Sequence, residues 1–250
     1  MARMPDGFID LTVTSPPYDN LRTYNGYVFD FEPIAREMYR VTKKGGVVVW
    51  VVGDATINGS ETGTSFRQAL YFKEIGFNLH DTMIYEKAGG GACGTNKAYW
   101  QGFEYMFVFA KDTPEVVSRI ADRVNVKAGS STYKTIGGRS PKYAQTVNTD
   151  KYTIGLTGVR TNVWKYHAGN NGDDITGSHT APFPEALARD HILSWSNESD
   201  LIYDPFMGSG TTAKAAHQLK RRWIGSEISA EYVELANKRL EPYLAQETLF

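Results

Sequence analysis

Six consecutive apolar residues, Val47-Val48-Val49-Trp50-Val51-Val52, constrain this chain more than any other stretch. A strand with one solvated face alternates polar and apolar residues, so a short continuous apolar run predicts a strand buried on both faces. Such a strand needs helices above and below its sheet. The flanking sequence supplies them. Phe31 to Lys43 carries Ile34, Met38 and Val41 at helical spacing. It runs into Lys43-Lys44-Gly45-Gly46, which reads as a basic last turn and a glycine stop. Thr64 to Ile75 reads as a second helix with Phe66, Leu70 and Phe72 as its apolar positions. Phe8 to Val13, Phe77 to Glu86 and Glu104 to Lys111 read as strands. After Thr180 the pattern resumes. Helices are expected at Pro182–Ser196, Gly210–Lys220 and Ser229–Leu240, and strands at Leu201–Asp204 and Trp223–Glu227. This order predicts an α/β sheet with helices on both faces.

The first strand stops at Thr14-Ser15-Pro16-Pro17-Tyr18. Neither proline donates a ladder hydrogen bond, so the chain is expected to break at a sheet edge. A stiff turn then presents the Ser15 hydroxyl, the Pro16 carbonyl and the Tyr18 ring. An isolated Pro-Pro-Tyr is only a rigid loop with an aromatic plug. With Ser15 before it, the set suits a flat base held by its exocyclic amine. That amine is a poor nucleophile, because its lone pair is delocalised into the ring. Two acceptors that take its hydrogens, the Ser15 oxygen and the Pro16 carbonyl, let the nitrogen become tetrahedral and aim its lone pair at a methyl donor. Pro17 stiffens the turn and Tyr18 can stack on a flipped base. The gain is mainly one of orientation.

A second turn, Asp204-Pro205-Phe206-Met207-Gly208-Ser209-Gly210, sits where a strand passes into a helix. Glycines there let a ligand approach the backbone, and the helix start offers free amides. Alone, such a turn is common and carries little. Glu227 follows Gly210 by 17 residues, at the expected end of the next strand. A carboxylate there can accept hydrogen bonds from both hydroxyls of a ribose. No Gly-Lys-Ser/Thr follows, so the turn is not a P-loop, and an adenosine-type cofactor without a triphosphate fits.

Charge separates one segment from the rest. Residues 116–170 hold nine Lys or Arg against two acids, a balance of +7, and the chain totals −1, leaving −8 elsewhere. Tyr133, Tyr143, Tyr152 and Tyr166 are interleaved with the basic residues. A solvated insertion explains the charge alone. A nucleic-acid surface explains the charge and the tyrosines together, with Arg119, Arg123, Lys127, Lys134, Arg139, Lys142, Lys151, Arg160 and Lys165 as phosphate contacts. Other classes are excluded. The longest apolar run is far below the ~20 residues that span a bilayer, so no membrane partner is expected. The N-terminus lacks a signal-peptide core. One cysteine, Cys93, forms no internal disulfide and fits a reducing cytoplasm. Five scattered histidines lack metal-ligand spacing, so no metal is expected.

Thr14-Ser15-Pro16-Pro17-Tyr18, the Asp204–Thr212 turn and His179-Thr180-Ala181-Pro182-Phe183-Pro184-Glu185-Ala186-Leu187 together resemble the S-adenosylmethionine-dependent DNA amino-methyltransferases. That family modifies cytosine at N4 or adenine at N6. The order here, catalytic motif, basic segment, cofactor motif, is similar to the family's beta permutation, which implies a circularly permuted Rossmann-like fold with an inserted target-recognition segment. It implies three parts: residues 1–112 as the catalytic half, 113–175 as the recognition insertion and 176–250 as the cofactor half. By resemblance, Ser15, Pro16, Pro17 and Tyr18 form the catalytic loop. Phe206, Gly208, Ser209, Gly210 and Thr211 meet the cofactor's methionine side, Glu227 its ribose, and Phe183 and Pro184 its wall. Asp204 orients the glycine turn. The implied partners are S-adenosylmethionine and double-stranded DNA, in a bacterial or phage-encoded enzyme of the restriction-modification kind, and a homodimer is allowed. Serine at position 15 favours cytosine N4, with adenine N6 the alternative.

Two residues argue against neighbouring chemistries. Methylation at cytosine C5 needs a cysteine nucleophile, usually after proline, and Cys93 follows Ala92 in a glycine loop. Glutamine and RNA-guanine methyltransferases usually carry Asn where Ser15 stands. One departure remains: only Met1 to Gly7 precede the first strand, where the family usually places a strand and helix that read the adenine. The expectation is a sheet short of one edge strand and weak cofactor binding. A catalytically degenerate DNA-binding protein is the alternative of another class, and an RNA or protein methyltransferase a third.

Overall fold

The computed structural model describes residues 1, 3–17, 29–88, 99–133, 151–167 and 184–246. The chain divides into a main unit, Met1–Ser118 with Asn162–Phe250, and a smaller one, Arg119–Thr161.

Among the described residues the main unit is built on a seven-stranded sheet. Its strands are β1 (Ile9–Thr14), β2 (Thr42–Val52), β5 (Asn78–Ala88), β6 (Phe103–Ala110), β11 (Val163–His167), β12 (Leu201–Asp204) and β13 (Arg222–Gly225), and its order is β11-β5-β6-β2-β1-β12-β13. Strands β2, β1, β12 and β13 run parallel, and β6 is antiparallel to both β2 and β5. β3 (Thr56–Ile57) and β4 (Ser60–Glu61) form a short hairpin after β2. The helices are α1 (Phe31–Val41), α2 (Thr64–Glu74), α3 (Glu185–Trp195), α4 (Thr211–Gln218) and α5 (Ala230–Gln246).

The apolar run behaves as its composition requires: Val47 to Val52 are all buried. Val48, Trp50 and Val52 join Met38 of α1 and Phe72 of α2 in an aromatic core with Phe77, Phe107 and Phe109. Met106, which precedes Phe107 on β6, points the other way. Its sulfur meets His191 of α3 at 3.3 Å, and the same ring accepts from Trp195 at 3.2 Å. Burial pushes the His191 pKa down to about 3, which makes it a neutral core residue.

Three details differ from the sequence reading. β1 lies inside the sheet between β2 and β12, so the Ser15-Pro16-Pro17 break is at the carboxyl end of an interior strand and not at a sheet edge. Prolines are tolerated there because the ladder has already ended. Next, α1 stops at Val41 and Lys43-Lys44-Gly45-Gly46 belongs to β2, where the register slips from Ile9↔Thr42 to Leu11↔Val47. Gly45 adopts φ +81, and a Cβ on Gly46 would stand 2.8 Å from Thr42 Cγ2 and 3.0 Å from the Ile9 and Asp10 carbonyls. The glycines therefore make a bulge. The basic cap of α1 comes instead from Lys111, whose Nζ donates to the carbonyls of Tyr39 (2.7 Å) and Thr42 (2.9 Å). Third, α2 buries Ser65, Gln68, Ala69 and Phe72, while Phe66 and Leu70 are exposed. Gln68 is inward because its Oε1 accepts from Trp50 Nε1 at 2.9 Å.

On the far side from β11, β13 is the last strand among the described residues. Among its described residues the smaller unit holds two short antiparallel ladders. β7 (Arg123–Val124) pairs with β10 (Thr157–Gly158), and β8 (Ser131–Tyr133) with β9 (Lys151–Thr153).

Candidate active site

Parallel strands β1 and β12 are neighbours, with Thr12 opposite Tyr203, so their carboxyl ends emerge side by side. Thr14 closes β1 and Asp204 closes β12. The Thr14 hydroxyl donates to Asp204 Oδ1 at 2.6 Å, and the Phe206 amide donates to the same oxygen at 3.0 Å. The Asp204 carbonyl accepts from Ser226 at 2.9 Å, and Thr212 donates to the Val13 carbonyl at 3.1 Å. Asp204 is 3% exposed. Desolvation raises its pKa to about 6, against the lowering effect of its bonds with Thr14, Thr212 and Phe206. It is thus an interior clamp that holds one strand end to the other.

From this clamp two loops leave. Ser15, Pro16 and Pro17 continue from β1, with Pro16 buried and its neighbours half-buried. Tyr18 lies outside the described residues. From β12 the glycine turn leads to α4. Gly208 has φ +49 and Gly210 φ +81, a region that favours glycine. The Met207 amide bonds the Ser226 carbonyl at 3.0 Å, and its side chain fills the space over Gly225, where a Cβ would stand 1.7 Å from the Met207 sulfur. Phe206 turns its ring edge to Phe29 (5.4 Å) and Trp50 (6.1 Å), anchoring the turn in the aromatic core.

Glu227 stands two residues beyond β13 and faces the same turn. One carboxylate oxygen accepts the Gly208 amide at 2.8 Å, and the other accepts the Ile228 and Ser229 amides, each at 2.9 Å. Ile228 beside it is 68% exposed, an apolar surface at the mouth of the turn. Ser209 and Thr211 are held from the protein interior. Both are buried, and both accept from Arg239 Nη1, Ser209 through its carbonyl (3.2 Å) and hydroxyl (3.4 Å), Thr211 through its hydroxyl (2.9 Å). Pro184 is buried at the start of α3 and Phe183 lies outside the described residues. Arg239, Glu185 and Thr14 were not legible as site residues. The one sequence signal was position: Thr14 and Glu185 each lie within a quoted motif, without a role given to them.

The basic residues separate on inspection. Arg119, Arg123, Lys127 and Lys151 of the smaller unit are exposed. Arg160 is engaged by both oxygens of Asp122, which holds that carboxyl below its usual pKa. Lys165 belongs to β11 of the main sheet and pairs with Glu86. Lys134, Arg139 and Lys142 lie outside the described residues. Among the described residues no group of three His, Cys, Asp or Glu gathers to hold a metal, and no helix is long and apolar enough to cross a membrane.

A serine-proline turn and a glycine turn on adjacent parallel strands, with an acid at the next strand, define a group-transfer site of the Rossmann-like class. The family model described as DNA methylase, covering N6 and N4 enzymes, matches residues 9–238. The chain belongs to that family of S-adenosylmethionine-dependent DNA methyltransferases, which act on a flipped base. It is 54% identical over 247 residues to the orphan methyltransferase M.BamHII of Bacillus amyloliquefaciens, covering 96% of this chain and 91% of that one. It is 27% identical to the DNA adenine methyltransferase YhdJ of Escherichia coli K12, covering 96% and 79%. Among solved structures, the cytosine-N4-specific PvuII DNA methyltransferase matches with a TM-score of 0.70 at 20% identity, covering 98% of this chain and 86% of that one. The fold and the permuted motif order are those of this class.

Proposed function

We propose that this protein transfers a methyl group from S-adenosylmethionine to the N4 amine of a flipped cytosine in double-stranded DNA. The observation that carries it is the Thr14–Asp204 bond, which sets the Ser15-Pro16 acceptors and the glycine turn on neighbouring strand ends. Bound there, S-adenosylmethionine would supply an electrophilic methyl group on its sulfonium sulfur. The residues present fit it. Gly208 and Gly210 keep the turn open, and Ile228 offers an apolar face beside it. The Glu227 carboxylate has roughly four acceptor sites, three of which are met by backbone amides. Exchanging the Gly208 amide frees one oxygen for a ribose hydroxyl.

Ser15 and Pro16 hold the target amine by its two hydrogens and direct its lone pair at the methyl carbon. The methylated amine then loses one proton, which the Ser15 hydroxyl relays to solvent water by passing on its own. Resemblance to the family associates serine at position 15 with cytosine N4, and the serine hydroxyl differs from a carboxylate in being neutral and a weaker acceptor. The smaller unit, with Arg119, Arg123, Lys127 and Lys151 exposed, would hold the duplex by its phosphates. Adenine N6 is the second reading, favoured by the activity of the Escherichia coli relative. Methyl transfer from labelled cofactor to duplex DNA tests the proposal. Ser15→Ala is expected to abolish transfer and leave DNA binding nearly intact. Undiminished transfer by that variant would remove Ser15 from the mechanism, and a wild type that binds DNA without transfer would be a degenerate binding protein.

A further inference from the structure

Three ionised side chains from separate segments meet inside the main unit, next to the glycine turn. Lys214 of α4 places Nζ 2.9 Å from Glu185 Oε2 at the start of α3, and Arg239 of α5 places Nη2 3.6 Å from the same oxygen. The side chains of Lys214 and Arg239 are 5% and 1% exposed. Two buried cations therefore share one carboxylate, whose own side chain is 23% exposed. Such clusters are costly to bury, and an apolar set of equal volume is often as stable or more so. Stability alone does not account for this one.

The far end of the guanidinium does. Arg239 Nη1 donates to Ser209 and Thr211, the residues that flank Gly210. One side chain thus reaches from Glu185 to the glycine turn. Glu185 follows Pro184, and the Pro184 carbonyl accepts the Leu187 amide at 3.0 Å, so the two residues move with α3. The Glu185 carboxylate is the joint between the α3 start and the turn.

We propose that Glu185 is a positioning residue for S-adenosylmethionine: through Arg239 and Lys214, its carboxylate fixes the spacing between the Pro184 wall and the Gly208-Ser209-Gly210 turn. This rests on the cofactor reading of that turn. Calorimetry with S-adenosylmethionine on the wild type, Glu185→Gln and Glu185→Gln/Lys214→Met tests it, with melting of each free protein and DNA affinity measured alongside. A wild type that binds no cofactor defeats the cofactor reading itself. Given wild-type binding, Glu185→Gln is expected to lose roughly tenfold in cofactor affinity, about 1.4 kcal/mol, while DNA affinity is unchanged. The double variant also removes one cation of the cluster and is expected to regain part of the melting midpoint, yet still binds the cofactor weakly. Wild-type affinity in Glu185→Gln, or affinity that recovers in the double variant together with the midpoint, would mean a role in stability alone and overturn the proposal.

Discussion

The hydroxyl of Thr14 donates to the carboxylate of Asp204 across 190 residues of sequence, at 2.6 Å and out of contact with water. It joins the last residue before Ser15 to the last strand residue before the glycine turn. Thr14→Val keeps the shape and deletes the donor. It is expected to cost about 1–3 kcal/mol, because the carboxylate stays buried with one bond fewer. Two residues earlier, the Thr12 hydroxyl is buried with no hydrogen-bond partner among the described residues. Thr12→Val is therefore expected to be neutral or mildly stabilising. Denaturant unfolding of the two variants side by side checks the contrast.

Asp204 gives a pH dependence whose sign runs against the usual carboxylate. Its pKa in the fold is about 6 and the reference value is 3.8. The folded protein thus holds this proton more tightly than the unfolded chain. Its contribution is complete below pH 3.8 and is lost as pH rises to about 6. The loss is on the order of 3 kcal/mol. Asp204→Asn is uncharged and keeps an acceptor for Thr14. The unfolding free energy of the wild type minus that of Asp204→Asn should fall across this window and stay flat above it.

Gly225 is the floor on which Met207 lies. Gly225→Ala puts a methyl group where the Met207 sulfur stands and is expected to cost about 1–3 kcal/mol, with weaker cofactor binding as the turn shifts. Adding Met207→Ala should restore most of that stability. A double variant no better than the single would show that the strain lies elsewhere.

Salt titration separates the basic residues. Replacing Arg119, Arg123, Lys127 or Lys151 with Ala should weaken DNA binding across all sequences and flatten the slope of log K against log salt by about one for each phosphate no longer neutralised. Lys165→Ala should leave the slope unchanged, since its ammonium is paired with Glu86.

Much of this architecture could be read from residue pattern. Val47–Val52 pointed to a two-sided sheet because a short run, five of its six residues valine, suits a strand covered on both faces. The Ser15-Pro16 and glycine turns were legible because their chemistry is local. What escaped was long-range. Lys43 and Lys44 looked like a helix cap, but the cap is Lys111, brought there by β6. Phe66 and Leu70 looked inward by hydropathy, yet Gln68 takes that face because Trp50 needs an acceptor. Ser209 and Thr211 sat in a cofactor motif, and only the fold shows Arg239 holding them from inside. Lys165 was counted with a basic segment from which β11 removes it.

The central claim is best tested by mass spectrometry of nucleosides from duplex DNA incubated with the protein and S-adenosylmethionine. N4-methylcytosine, absent with Ser15→Ala, is the predicted result. N6-methyladenine would keep the chemistry and overturn the assigned base. Unmodified nucleosides from a protein that binds both cofactor and DNA would contradict the account.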